Sequence, residues 1–113
     1  KTRDRVLHHF KIYQKYNNQW GILRDFCDYC KQRGLRAVLV NPPVRSDYKA
    51  MLNEVGGGVS LIDDINDIST EKGVLLIDAS DGFDDDDFAD ADHLNFNGAV
   101  KLTRRIMQAG KIR

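Results

Sequence analysis

The chain has 113 residues, 42% hydrophobic and 30% charged, with 17 basic side chains balanced by 17 acidic ones. That length suits one small globular domain. No apolar run approaches the roughly 18 residues of a membrane span, no apolar signal core follows the polar start Lys1-Thr2-Arg3-Asp4-Arg5, and a balanced charge argues against nucleic-acid binding.

Residues 3–15 read as a helix with Val6, Leu7, Phe10 and Tyr13 on one face. His8 and His9 fall on its polar part and read as surface or packing residues. Asn17-Asn18 breaks the pattern. Residues 19–33 form the clearest helix, with Trp20, Leu23, Cys27 and Cys30 in one stripe. Ile22, Phe26 and Tyr29 widen that stripe, which predicts substantial burial. Gly34 is placed to end the helix in a left-handed cap. The two cysteines, Cys27-Asp28-Tyr29-Cys30, lie well inside this helix. A redox pair of this spacing belongs at a helix N-terminus, so they read as packing residues.

Ala37-Val38-Leu39-Val40 is apolar without alternation, the mark of a strand covered on both faces of a parallel sheet. Asn41-Pro42-Pro43 ends it, because proline cannot donate to a ladder. Ser46 is placed to cap a short helix over 47–54, with Tyr48, Met51, Leu52 and Val55 inward. Gly56-Gly57-Gly58 reads as a hinge or turn. A further helix carries Leu61, Ile62, Ile65 and Ile68 inward, with Gly73 after its end. Val74-Leu75-Leu76-Ile77-Asp78 is the second buried strand. Residues 79–92 read as an acidic loop, and Asn95 or Asn97 caps a last helix to about 109 with Ala99, Leu102, Ile106 and Ala109 inward.

Strands alternating with helices imply an α/β layer with a parallel crossover. Two strands are too few for an independent, doubly covered sheet. Further strands are expected from an upstream segment or another copy. The chain does not begin with Met, which reads as a processed or excised piece. Residues 1–113 are thus expected to be a single α/β domain or a C-terminal fragment of a larger one. Residues 1–45 carry ten Lys or Arg against three Asp; residues 46–96 carry fourteen acids against two Lys. Basic and acidic parts are expected to face each other.

In such folds the loops beyond the C-terminal strand ends carry chemistry. One of them delivers Asp90-Ala91-Asp92-His93 to the start of the last helix. A His general base needs a partner on Nδ1 to fix its tautomer and stabilise the imidazolium. Asp90 is the favoured partner and Asp92 the competitor. Arg45 and Ser46 are expected on the same rim, with Ser46 read first as a helix cap. Asp81 and Asp84–Asp87 lack the spacing of a calcium loop and read as a solvated charge run.

The run Asp90-Ala91-Asp92-His93-Leu94-Asn95-Phe96-Asn97-Gly98-Ala99, following strands that end in Asn41-Pro42-Pro43 and Ile77-Asp78-Ala79-Ser80, resembles the last conserved block of the SGNH (GDSL-type) hydrolase superfamily. The spacing is most similar to bacterial branches that acyl-modify cell wall or polysaccharide. The resemblance covers only the C-terminal half of that family's domain. It implies a flavodoxin-like parallel sheet flanked by helices and an acyl-ester substrate. It implies no cofactor, no metal and no membrane span in this chain. An extracytoplasmic location follows only for a protein like the cell-wall branch. His93 carries over as the general base and Asp90 as its orienting acid. The family's Gly-Asp-Ser nucleophile block and its oxyanion Gly and Asn have no counterpart here. Ser46, Ser60, Ser69 and Ser80 lack the strand–Ser–helix setting. This chain alone is therefore expected to be inactive. Two functions stand: the Asp–His half of an esterase or acyltransferase completed by an upstream segment, or a non-catalytic binding or assembly module on the same fold.

Overall fold

The computed structural model describes residues 2–5, 7, 19–55 and 58–110. Most of the predicted first helix, with His8, His9, Phe10 and Tyr13, lies outside the described residues, as do Val6 and the Gly56-Gly57 turn. Residues 2–5 and 7 are helical, and Leu7 is exposed rather than inward. The elements that follow are α1 (Gln19–Gln32), β1 (Val38–Asn41), α2 (Ser46–Val55), α3 (Gly58–Lys72), β2 (Leu75–Asp78), a 3-10 turn (Asp85–Asp87), β3 (Phe88–Asp90), β4 (His93–Leu94) and α4 (Phe96–Gly110).

The chain is a small α/β domain. β1 and β2 pair in parallel, with Val38 opposite Leu75 and Asn41 opposite Asp78. α2 and α3 connect them, α3 packs against α1, α2 and β2, and α4 packs on β2. Gly34 and Gly73 sit at φ 69° and 65°; the left-handed cap predicted at Gly34 ends α1, and Gly73 ends α3 in the same conformation. Leu35 N donates to the Cys30 carbonyl at 2.8 Å, closing the first of these caps.

The core is smaller than the apolar runs predict. Ile77 is buried, but Val38, Leu39, Val40, Leu75 and Leu76 are only half-buried. Each strand has one edge without a partner among the described residues, so these short strands are not covered on all sides. Along α1 the inner stripe holds, with Cys27 and Cys30 buried. Phe26, expected to be buried, is 53% exposed, and Ile22 and Tyr29 are exposed beside it. α1 meets the rest of the domain through one narrow face, on which Trp20 is half-buried. On α4 the inward face is Gly98, Leu102, Ile106 and Gly110, while Ala99 and Ala109 are exposed. That face has a four-residue step, and a backbone contact at Gly98 fixes its phase.

The segregated charges meet as expected. Arg3 pairs with Glu54 at 3.1 Å, Arg24 with Glu71 at 3.1 Å and Lys101 with Asp87 at 2.8 Å. These pairs are exposed or partly so and contribute little stability each, but they orient the segments.

Candidate active site

The site grows from the C-terminal ends of the two parallel strands. Asn41 Nδ2 donates to Asp78 Oδ1 at 2.9 Å, and Ala79 N donates to the Asn41 carbonyl at 2.8 Å. Burial pushes the Asp78 carboxyl up, yet hydrogen bonds from Ser80 and Asn41 and the charge of Arg105 hold it below its ordinary value. Arg105, on α4, donates to the carbonyls of Asp78 and Asp81. The stretch after β2 is thus tied to the last helix from its first residues.

This stretch is not the plain loop its composition suggests. It contains the 3-10 turn and the β3–β4 pair, in which Phe88 faces Leu94 and Asp90 faces His93. Several acids are individually matched. Asp87 Oδ2 takes Lys101 Nζ at 2.8 Å and Asp84 N at 2.9 Å, which holds its carboxyl below the ordinary value. Asp81 takes Lys49 Nζ at 3.2 Å. Asp85 takes the Ser46 hydroxyl at 2.8 Å and the Ser46 amide at 3.2 Å. Ser46 is therefore not the cap of α2. The Arg45 carbonyl accepts from Lys49 N at 3.0 Å, which makes Arg45 the cap position ahead of α2, and Ser46 serves as a strut to the acidic stretch.

Of the two candidates, Asn95 and Asn97, it is Asn95 that caps α4. Its Oδ1 accepts from Gly98 N at 3.0 Å, its Nδ2 donates to the Asp86 carbonyl at 2.6 Å, and its own N donates to the Asp87 carbonyl at 2.9 Å. Gly98 is required by a close approach. A Cβ there would lie 2.2 Å from the Asp87 carbonyl oxygen and 2.8 Å from Leu94 Cδ2.

Between these anchors the turn Ala91-Asp92 joins β3 to β4. Ala91 is buried against Tyr48, Val44 and Met51, and its carbonyl accepts from Arg45 N at 3.0 Å. The side chains of the two candidate residues on either side of this turn meet. His93 Nδ1 lies 2.8 Å from Asp90 Oδ1. A carboxylate only accepts, so Nδ1 carries the proton and Nε2 of the neutral ring keeps its lone pair. The His93 hydrogen bond holds the Asp90 carboxyl down at about 2, with help from the Asp92 amide and the Arg5 charge against a small burial effect. The imidazole is 68% exposed.

Asp92 and Asp90 point to the same ring. Asp92 Oδ1 is 3.2 Å from His93 Nδ1, so the adjacent carboxylate does not point away as chain geometry suggests. Arg5 explains why both are held there. Its Nη1 lies 2.6 Å from Asp92 Oδ1 and 3.3 Å from Asp90 Oδ1. The sequence carried no local signal for Arg5, which is 87 residues from Asp92. Only the excess of bases at the start and acids near the end hinted at such a contact.

The ligand atoms of Asp90, Asp92 and His93 lie within 4.8 Å of one another, the spacing of a cation site. The Arg5 guanidinium already takes the place of the cation, and a metal ion would have to displace it. Among the described residues, no serine hydroxyl is hydrogen-bonded to His93. Ser46 donates to Asp85 and Ser69 to the Val74 carbonyl at 2.6 Å. An open groove of about 720 Å³ runs along α4 past Phe83, Phe96 and Arg104, and neither Asp90 nor His93 lines it. No helix is long and apolar enough to cross a membrane among the described residues. The chain matches no protein-family model, no curated protein and no solved structure.

Proposed function

We propose that residues 1–113 are the C-terminal portion of an SGNH-type esterase or acyltransferase, with the larger flavodoxin-like sheet completed by an upstream segment. The observation that carries this reading is the 2.8 Å contact between His93 Nδ1 and Asp90 Oδ1, in the segment that follows the last parallel strand and enters the last helix. Asp90 orients the ring and stabilises the imidazolium. His93 Nε2 accepts the proton of a serine supplied from outside this chain as that serine attacks an acyl ester. The imidazolium then returns a proton to the leaving alcohol. Acyl esters of cell wall or polysaccharide are the substrates this reading favours.

The exposure of the His93 ring and the engagement of Ser46 and Ser69 elsewhere favour the second reading, a binding or assembly module on the same fold. A fluorophosphonate probe separates the two. In the full gene product the enzyme reading predicts stoichiometric labelling of one serine outside residues 1–113, with labelling slowed by His93→Ala. Absence of both labelling and ester hydrolysis across varied acyl esters selects the binding module.

A further inference from the structure

The three charged side chains around the His93 ring form an unusual count. A catalytic imidazole needs one carboxylate on Nδ1, and here two lie within 3.2 Å. Nδ1 has a single proton to give. Asp92 is also the more enclosed of the two acids, its side chain 16% exposed against 46% for Asp90. A second, unpaired carboxylate in that position is costly to hold and competes for the ring.

We propose that Arg5 is a positioning residue for the Asp90–His93 pair, withdrawing Asp92 from competition and holding the local charge at that of one carboxylate. The inference rests on reading Asp90–His93 as the acid–base pair, but its test needs no turnover. Arg5 Nη1 is closer to Asp92 Oδ1, at 2.6 Å, than His93 Nδ1 is, at 3.2 Å. The order reverses at Asp90, where the ring is at 2.8 Å and the guanidinium at 3.3 Å. Each cation thus has its own acid. Two carboxylates and one guanidinium leave one net negative charge beside the imidazole. That is the charge a single orienting Asp supplies.

The neighbouring groups do not upset this count. From α2, the Tyr48 phenol is pushed up by burial and by the Asp92 charge, and stays neutral. Arg45 feels the charges of Asp85 and Asp90 but is bonded through two nitrogens to Asp47 at 2.8 Å. Thr2 Oγ1 donates to Asp47 Oδ2 at 2.8 Å and Arg3 pairs with Glu54, so the segment bearing Arg5 is fastened just ahead of it. These two contacts hold the segment to α2.

The test is the titration of the His93 ring, followed by NMR in the full gene product and in four variants of it. Arg5→Gln leaves two negative charges and raises the midpoint by about half a pH unit to one unit, the size expected for a unit charge about 5 Å away in a dielectric close to that of water, as for a ring this exposed. Asp92→Asn leaves none and lowers it by a similar amount. The double variant restores one negative charge and returns the midpoint to within about 0.2 units of the parent. Arg5→Lys keeps the charge and holds the midpoint, which covers the case in which Arg5→Gln fails to fold. The proposal is overturned if Arg5→Gln and Asp92→Asn each leave the midpoint within about 0.1 unit, or if the double variant fails to reverse the single shifts. A merely structural role for Arg5 predicts loss of folding without that reversal. Should the full gene product prove inactive, the titration result still stands or falls by itself.

Discussion

Replacing Gly98 by alanine tests how the site is anchored, because two effects of opposite sign compete there. Alanine is favoured over glycine inside a helix by about 1 kcal/mol. Against this, the new Cβ would lie 2.2 Å from the Asp87 carbonyl oxygen, 2.8 Å from Leu94 Cδ2 and 3.1 Å from the Asp87 carbonyl carbon. Backbone cannot swing aside as a flexible side chain can. The Asp87 carbonyl must retreat by about 1 Å, away from the start of α4. That carbonyl accepts the Asn95 amide at 2.9 Å, and losing the bond costs about 1 kcal/mol more. Overpacking of this kind costs about 1–3 kcal/mol, so sterics outweigh propensity and the net effect is a loss of about 1–3 kcal/mol. Urea or guanidinium unfolding of Gly98→Ala measures it directly. Because Asp87 leads into β3, the same substitution moves the Asp90–His93 pair and shifts the NMR signals of the His93 ring. A variant as stable as the parent, or more stable, would refute the close approach at Gly98 and with it the seat of the site.

Three further outcomes follow from burial and charge. Ile68, which has no exposed surface, loses about 2–5 kcal/mol on Ile68→Ala, whereas Phe26→Ser, at a half-exposed ring, stays within about 0.5 kcal/mol; equal effects would contradict the narrow face assigned to α1. The bond from His93 lowers Asp90 from 3.8 to about 2, so its contribution to stability is fully present above the ordinary value and is lost as pH falls toward about 2. Unfolding midpoints of the parent and Asp90→Asn should therefore converge through that window and differ above it; parallel curves would contradict the linkage. Burial pushes the Cys27 thiol up, with the charges of Cys30 and Asp28 adding to it, so a thiol reagent should modify the native protein far more slowly than the unfolded one. Equally fast native labelling would reopen a redox role for the Cys27–Cys30 pair.

The parts of the fold legible in the sequence are those set by local rules. Gly34 and Gly73 end helices because the left-handed cap favours a residue without Cβ, and Asn95 caps α4 through its own side chain. The apolar runs at Val38 and Leu75 name the two strands that pair in parallel. Asp90 and His93 could be matched because a three-residue spacing across a tight turn brings their side chains together. What escaped depends on distant partners. The half-burial of Leu39 and the exposure of Ile22, Phe26 and Tyr29 reflect how little surface two short strands offer, which a helical stripe does not encode. The β3–β4 pair was hidden in an acidic run whose composition favours solvent. Ser46 looked like a cap because capping and a strut to Asp85 ask for the same hydroxyl. Arg5 lies too far along the chain for any local pattern to join it to Asp92.

In the proposed acyl transfer the carboxylate of Asp90 works through His93. The most direct measurement is kcat for ester cleavage or transfer by the full gene product carrying Asp90→Asn, beside Asp92→Asn. The amide keeps the shape of the side chain but removes the charge and lets His93 take the wrong tautomer, so a loss of up to about 10⁴-fold is predicted for Asp90→Asn, with a far smaller loss for Asp92→Asn. Turnover by Asp90→Asn within a few-fold of the parent would contradict the account.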